Sequence, residues 1–339
     1  MPQPIFDQKN ILVTGGAGFI GSFLCEELVK GAKVICVDNF VSGSQANIDH
    51  LFRLPNFIFL KHNLREPLDL TAFPELERFQ ISLQGVQEIY HLACPTSPKE
   101  FDKYRIETLE ANSIVMKHVL DLALQYKAKF VNASSSVVYG PRPAENAFFI
   151  ENYLGAVDFL SPRACYDEGK RFTETMTATY RQVHGLDAKS ARIFRTYGPR
   201  MRLFDGQMIP DFITNALDGN DLVIYGDETF YTSLVYVTDV AEGLIKLMDA
   251  PADIGAVNIG SDQDLKLAEV ARMIVELTNS SSKIVFEEPL LFMTPLGLPD
   301  LTKVKERLGW IPIVTLGQGL QKTIEYTMAN KGILGAQTA

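Results

Sequence analysis

A chain of 339 residues, 46% hydrophobic and 22% charged, is long enough for a large buried core and ordinary in composition for a globular protein. A formal net charge of −9 argues against nucleic-acid binding, and no apolar run is long enough to span a membrane. Cys25, Cys36, Cys94 and Cys165 and the five histidines are scattered without metal-ligand or disulfide-framework spacing. We therefore expect no metal, and buried thiols in a reducing cytoplasm. The opening residues lack a basic stretch followed by an apolar one, so no secretory signal is expected.

The apolar, β-branched run at 11–13 predicts a first strand, and the helical periodicity of 19–29 predicts a helix after it. A second buried strand is expected at 34–37. Further apolar runs follow at 57–60, 88–92, 130–133 and 189–194, separated by helical stretches that include 106–125 and 166–183. This alternation predicts an α/β fold, a Rossmann-type doubly wound parallel sheet with helices on both faces. After about residue 195 the rhythm breaks, with helices expected near 209–217, 237–248 and 265–277. We read residues 1–194 as a dinucleotide-binding domain. Residues 195–339 then form mainly a smaller substrate-binding lobe, with some return to the sheet near 234–260.

Between the first strand and helix, "TGGAGFIG" places Gly15, Gly18 and Gly21 in a G-x-x-G-x-x-G pattern. Glycine permits the tight turn, and a bare backbone lets a pyrophosphate approach the amides at the helix N-terminus. Asp38 ends the second strand, where a carboxylate can accept hydrogen bonds from both hydroxyls of an adenosine ribose and would repel a 2′-phosphate. An ordinary βα turn would also use glycines. The order strand, turn, helix, strand and acid favours NAD over that alternative.

In "CYDEGKR", Tyr166 and Lys170 stand four residues apart, so a helix sets them on one face. An ammonium beside a phenol lowers its pKa from about 10, making a proton-transfer group. Asp167, Glu168 and Arg171 leave a solvated helical face as the other reading.

Together these motifs resemble the extended short-chain dehydrogenase/reductase family, whose members modify nucleotide sugars using tightly held NAD. The resemblance runs from about residue 10 to 328. It is narrowest with the UDP-glucuronate decarboxylases, through "VDNFVSG", "YHLACPTSP", "CYDEGKR", "ARIFRTYGPRM" and "RLGWIP". It implies that Tyr166 takes the proton of the sugar 4-hydroxyl as hydride leaves C4. Lys170 then lowers the tyrosine pKa and holds the nicotinamide ribose. Ser135, in "NASSSVVYG", hydrogen-bonds the same sugar oxygen, unless it only satisfies a strand-end amide. The 4-keto intermediate is a β-keto acid that loses carbon dioxide, and return of the hydride gives UDP-xylose. Further cofactor contacts implied are Phe19, Ile20, Asn39, Ser42 and Gly43, with Asn63 and Leu64 beside the adenine and Leu92, Ala93 and Cys94 along the pyrophosphate and ribose. "HLACP" could equally be a plain strand end with its turn. Helices near 106–125 and 166–183 are similar to those that pair across a homodimer in this family, and taken alone they are core-facing amphipathic helices.

The substrate positions depart from the decarboxylase pattern. Val137 stands where those enzymes carry a glutamate, Glu110 where they carry a lysine, and Thr232 and Gln207 where they carry arginines. Conversely, Arg195 replaces an asparagine, and Arg202 lies in the adjoining loop, so a relocated guanidinium could bind the diphosphate. Surface solvation is the plainer reading of Arg202 and Glu110. Ser136, Thr196, Arg200 and Tyr225 complete the implied substrate set. Family 4,6-dehydratases carry an Asp-Glu pair where Ser136 and Val137 stand, so water elimination lacks its acid and base here. The leading expectation is a nucleotide-sugar enzyme that oxidises C4 and returns the hydride internally, nearest to UDP-glucuronate decarboxylation. A 4-epimerase, or an enzyme of an unusual nucleotide, is the alternative. A catalytically silent NAD-binding redox sensor is the third, and it would need no proton relay.

Overall fold

The computed structural model describes residues 8–96, 103–143, 145, 147–288 and 296–336; Ser97 and Pro98 of the "YHLACPTSP" motif lie outside them. Seven parallel strands form the central sheet. They are β1 (Asn10–Thr14), β2 (Lys33–Asp38), β3 (Phe57–Lys61), β4 (Glu88–His91), β5 (Lys129–Ser135), and two later strands, Ala188–Ile193 and Ala256–Ile259. From edge to edge the order is Ala256–Ile259, Ala188–Ile193, β5, β4, β1, β2, β3. Every residue of β1 and β4 is buried, the continuous rather than alternating pattern of a strand covered on both faces.

Helices cover both faces. One face packs α1 (Phe19–Leu28) and the Val237–Asp249 helix in a core that includes Val13, Leu24, Val34, Val240, Leu244 and Trp310. The other gathers Leu12, Ile35, Ile89, Val119 and Phe130. The expected helix at 106–125 is interrupted. Arg105–Glu110 and Met116–Tyr126 are α-helical, and Ala111–Val115 between them is a single π turn. Such turns displace the ladder by one residue and occur often at functional sites.

A third core joins the helices Met208–Asp218, Leu267–Thr278 and Leu316–Ala336 over the paired strands Leu222–Tyr225 and Ile284–Glu287. The strand Ala256–Ile259 leaves this lobe and pairs with Ala188–Ile193 in the main sheet. The sheet's connections run outward in opposite directions from β1 and β4, so a crevice opens at their carboxyl ends.

Candidate active site

Above that crevice lies a cleft of about 610 Å³. Gly15 follows β1 with φ +71, and its amide donates to Val37 O at 2.8 Å. A Cβ on Gly15 would lie 2.7 Å from Ala93 N, and one on Gly21 would lie 2.2 Å from Gly15 O. These two glycines are needed for the turn to fold against itself. At Gly18 an added Cβ would meet only Gly15 O, at 3.1 Å, and Gly18 caps α1 without a side-chain hydrogen bond. The first amides of α1 are thus left to an anion entering the cleft.

Asp38 is 8% exposed and its carboxylate accepts from Ala17 N at 3.0 Å and Phe40 N at 2.8 Å. Burial raises its pKa above the usual carboxylate value, against the pull of those amides. Phe19, Ile20, Asn39, Ser42, Asn63, Leu64, Leu92, Ala93 and Cys94 line the same cleft. Gly43 does not line it; an added Cβ there would lie 2.9 Å from Asp38 Oδ2, so Gly43 makes room for the carboxylate. An uncapped helix N-terminus and a pinned acid at the end of β2 fit a dinucleotide.

Ser135, Tyr166 and Lys170 converge at the other end of the cleft. Tyr166 and Lys170 rise from the helix Ala164–His184, the tyrosine helix. The Ser135 hydroxyl accepts weakly from Val137 N at 3.4 Å, capping the next turn, and also hydrogen-bonds Tyr166. The strand-end role expected of this serine is thus present, and its hydroxyl also faces the tyrosine. Lys170 Nζ donates to Ala133 O at 2.9 Å and lies 5.8 Å from the centre of the Tyr166 ring.

The expected lowering of the Tyr166 pKa is not found. Burial is the largest influence and pushes the phenol well above its ordinary value; Cys94 adds to this, while Ser135 and Arg163 oppose it. The lysine is held on the Ala133 carbonyl, so the removal of the phenol from water outweighs the charges near it. Behind them His91, its Nδ1 2.7 Å from Thr14 Oγ1, is pushed down to about 3 by burial and by Lys170, and so stays neutral. The cysteines correct another expectation: Cys25 and Cys36 are buried, but Cys94 and Cys165 are partly exposed.

The profile of the NAD dependent epimerase/dehydratase family matches residues 11–260. The chain belongs to that family. It is accordingly an NAD-dependent enzyme of the short-chain dehydrogenase/reductase kind. UDP-glucuronic acid decarboxylase 1 of Xenopus tropicalis is 39% identical over 321 residues, 94% of this chain and 72% of the relative. UDP-glucuronic acid decarboxylase 4 of Arabidopsis thaliana is 38% identical over 312 residues, 92% of this chain and 67% of the relative. Among solved structures, a UDP-glucuronic acid 4-epimerase from Bacillus cereus, in complex with UDP-glucuronic acid and NAD, superposes with a TM-score of 0.82. It is 26% identical and covers 94% of this chain and 99% of its own.

In this epimerase/dehydratase the substrate candidates divide. Ser136, Val137, Arg195, Thr196, Arg200, Arg202 and Gln207 line the cleft. Ser136 and Val137 are 2% and 6% exposed, and the valine has no proton to give or take. Gln207 is tied to Asp205, Nε2 to Oδ2 at 3.0 Å. Three candidates are not on the wall. Glu110 is held by Arg65 at 2.7 Å, Tyr225 belongs to an outlying strand of the lobe, and Thr232 lies behind Arg195, whose Nη1 donates to its hydroxyl at 2.8 Å. Arg200, at φ +69, crosses to α1, where it donates to Glu26 at 2.6 Å and its guanidinium lies 4.2 Å from the Phe23 ring centre.

Sequence reading missed Arg163, Asp205 and Glu107, which also line the cleft. Arg163 had a signal. It stands three residues before Tyr166, one helical turn away. Among the described residues no cluster of metal-ligating side chains occurs, and no helix is long and apolar enough to cross a membrane.

Proposed function

We propose that this family member is a lyase that decarboxylates UDP-glucuronate by way of a 4-keto sugar. One observation carries the reading: the hydroxyls of Ser135 and Tyr166 meet at the opposite end of a single cleft from Asp38 and the uncapped α1. Relatives named for this reaction, 36–39% identical over most of the chain, support it. When bound, NAD supplies the oxidant for C4 and later gives the hydride back. Ser135 orients the sugar 4-hydroxyl, and Tyr166 accepts its proton. Lys170, released from Ala133 O, would then face the tyrosine oxygen as an ammonium and favour the phenolate. The C5–carboxylate bond breaks, carbon dioxide leaves, and the electron pair of that bond passes into the enolate, which takes a proton at C5 from solvent water. Tyr166 returns its proton as C4 is reduced, so the enzyme ends the cycle unchanged.

Incubation with UDP-glucuronate, followed by NMR, tests the reading. UDP-xylose supports it, and its absence with UDP-galacturonate present would make the enzyme a 4-epimerase. That second reading is favoured by Ser136 and Val137, since neither supplies an acid or base beside Ser135, and epimerisation needs none there. If neither product forms and the compound does not raise the melting temperature, glucuronate is the wrong sugar. Convergence of Ser135, Tyr166 and Lys170 argues against a silent redox sensor.

The same reading carries a homodimer paired through the interrupted helix and the tyrosine helix. Ile106, Leu109, Ile114 and Phe172 on them are 62%, 46%, 48% and 49% exposed, more apolar surface than two solvated helices need. Sedimentation at micromolar concentration would test it. A cytoplasmic location is supported by four free cysteines and is testable by cell fractionation.

A further inference from the structure

Arg195 is partly buried with its guanidinium on the cleft wall, and its polar contacts are the Thr232 hydroxyl at 2.8 Å and a long approach to the Met208 sulfur at 3.8 Å. No carboxylate pairs with it among the described residues. Its near charge is of its own sign. Arg163, on the same wall, adds to the burial that lowers the Arg195 pKa to about 10. Arg163 does have an acid, Asp167 Oδ1 at 3.3 Å, so that acid is already engaged. Behind Arg195 a void of about 10 Å³ is bordered by Thr232 and Ser233, whose buried hydroxyl has no partner.

Two guanidinium groups on one cleft wall repel each other, and an anion bound beside them relieves that repulsion. We propose that Arg195, with Arg163 on the same wall, is the specificity-determining site for the carboxylate of the sugar. The step rests on the uronate reading above. Its direction comes from Arg163, which stands one turn before Tyr166 and whose charge reaches the phenol. The tyrosine serves C4, and in a hexuronate the carboxylate is on C5, the neighbouring carbon. The diphosphate hangs from C1, across the ring. A planar fork of N–H donors matches a planar pair of carboxylate oxygens, and a lysine would not. Thr232 fixes the fork's rear edge and leaves the front to the ligand.

The test is calorimetric titration of the NAD-loaded protein with UDP, UDP-glucose and UDP-glucuronate, for wild type and Arg195→Met. Methionine keeps the stem and removes the charge. UDP-glucuronate should weaken by at least about tenfold, the loss expected for a charged hydrogen-bonded pair, while UDP and UDP-glucose stay within about twofold. Equal weakening of all three would assign the charge to the diphosphate and overturn the proposal, as would an unchanged constant for UDP-glucuronate. Should Arg195→Met not fold, Arg195→Lys keeps the charge but not the fork, and a smaller loss confined to UDP-glucuronate is expected; no loss overturns the proposal. Wild type that binds UDP-glucuronate through Arg195 but releases no UDP-xylose would sink the decarboxylase reading and leave this one standing.

Discussion

On one wall of the cleft the backbone does the holding: Gly15, Gly18, the first amides of α1 and the pinned carboxylate of Asp38 are placed by β1, β2 and the turn between them. On the other, Arg163, Arg195, Arg202 and Gln207 reach in as side chains from loops and helix ends. A wall of backbone tolerates little change, because a Cβ at Gly21 already collides with Gly15 O at 2.2 Å. A wall of side chains can exchange a charge between neighbouring positions and keep its fold.

The sharpest break between the walls is Tyr166→Phe. It should lower turnover by about 10²–10⁴-fold, the usual loss for a missing general base, with NAD retention and the UDP-glucuronate thermal shift unchanged. Near-normal turnover would remove the tyrosine from the proposed chemistry. Next in size is Asp38→Asn, which should weaken NAD by about 10- to 100-fold and narrow its preference over NADP. Fluorescence titration with both cofactors measures it, and an unchanged preference would show that something else reads the ribose.

A smaller effect lies in the pH dependence. Because burial raises the folded-state pKa of Tyr166, the folded protein holds that proton longer than the unfolded chain. The resulting stability is present below the unfolded value of about 10 and is lost as pH rises above it. Cofactor-free wild type should therefore lose melting temperature faster than Tyr166→Phe above about pH 10. Parallel curves would mean that the phenol ionises normally. Smallest is Glu110→Gln. Its pair with Arg65 is near the surface and it is off the cleft wall, so stability should move by less than about 1 kcal/mol in chemical denaturation, with KM for UDP-glucuronate unaltered. A large rise or fall in KM would put Glu110 back against the substrate.

The wall of backbone was legible in the sequence because its determinants are local: a buried run, three glycines and an acid within 28 residues, from Ile11 to Asp38. Tyr166 and Lys170 were legible for the same reason, through one turn of helix. The direction of the tyrosine's pKa was not, since it depends on how deeply the phenol is buried and on a carbonyl of β5 that captures the lysine. Contact between Arg195 and Thr232 joins residues 37 apart, and Glu110 meets Arg65 across 45. Nothing in local pattern reports such pairings. The π turn at Ala111–Val115 also escaped, because it keeps the apolar stripe of a helix and only shifts its register.

The return of Ala256–Ile259 to the main sheet bears on whether the two halves are modules at all. One continuous core contains Val13 and Leu24 together with Leu244, Ile259, Val304 and Trp310. Cutting the chain after residue 194 would strip an edge strand from the sheet and the Val237–Asp249 helix from one of its faces. Neither fragment would keep that core closed, so exchanging residues 195–339 as a cassette would expose it. New specificities in such an architecture are reached by point changes on the cleft wall, which leave the shared core intact.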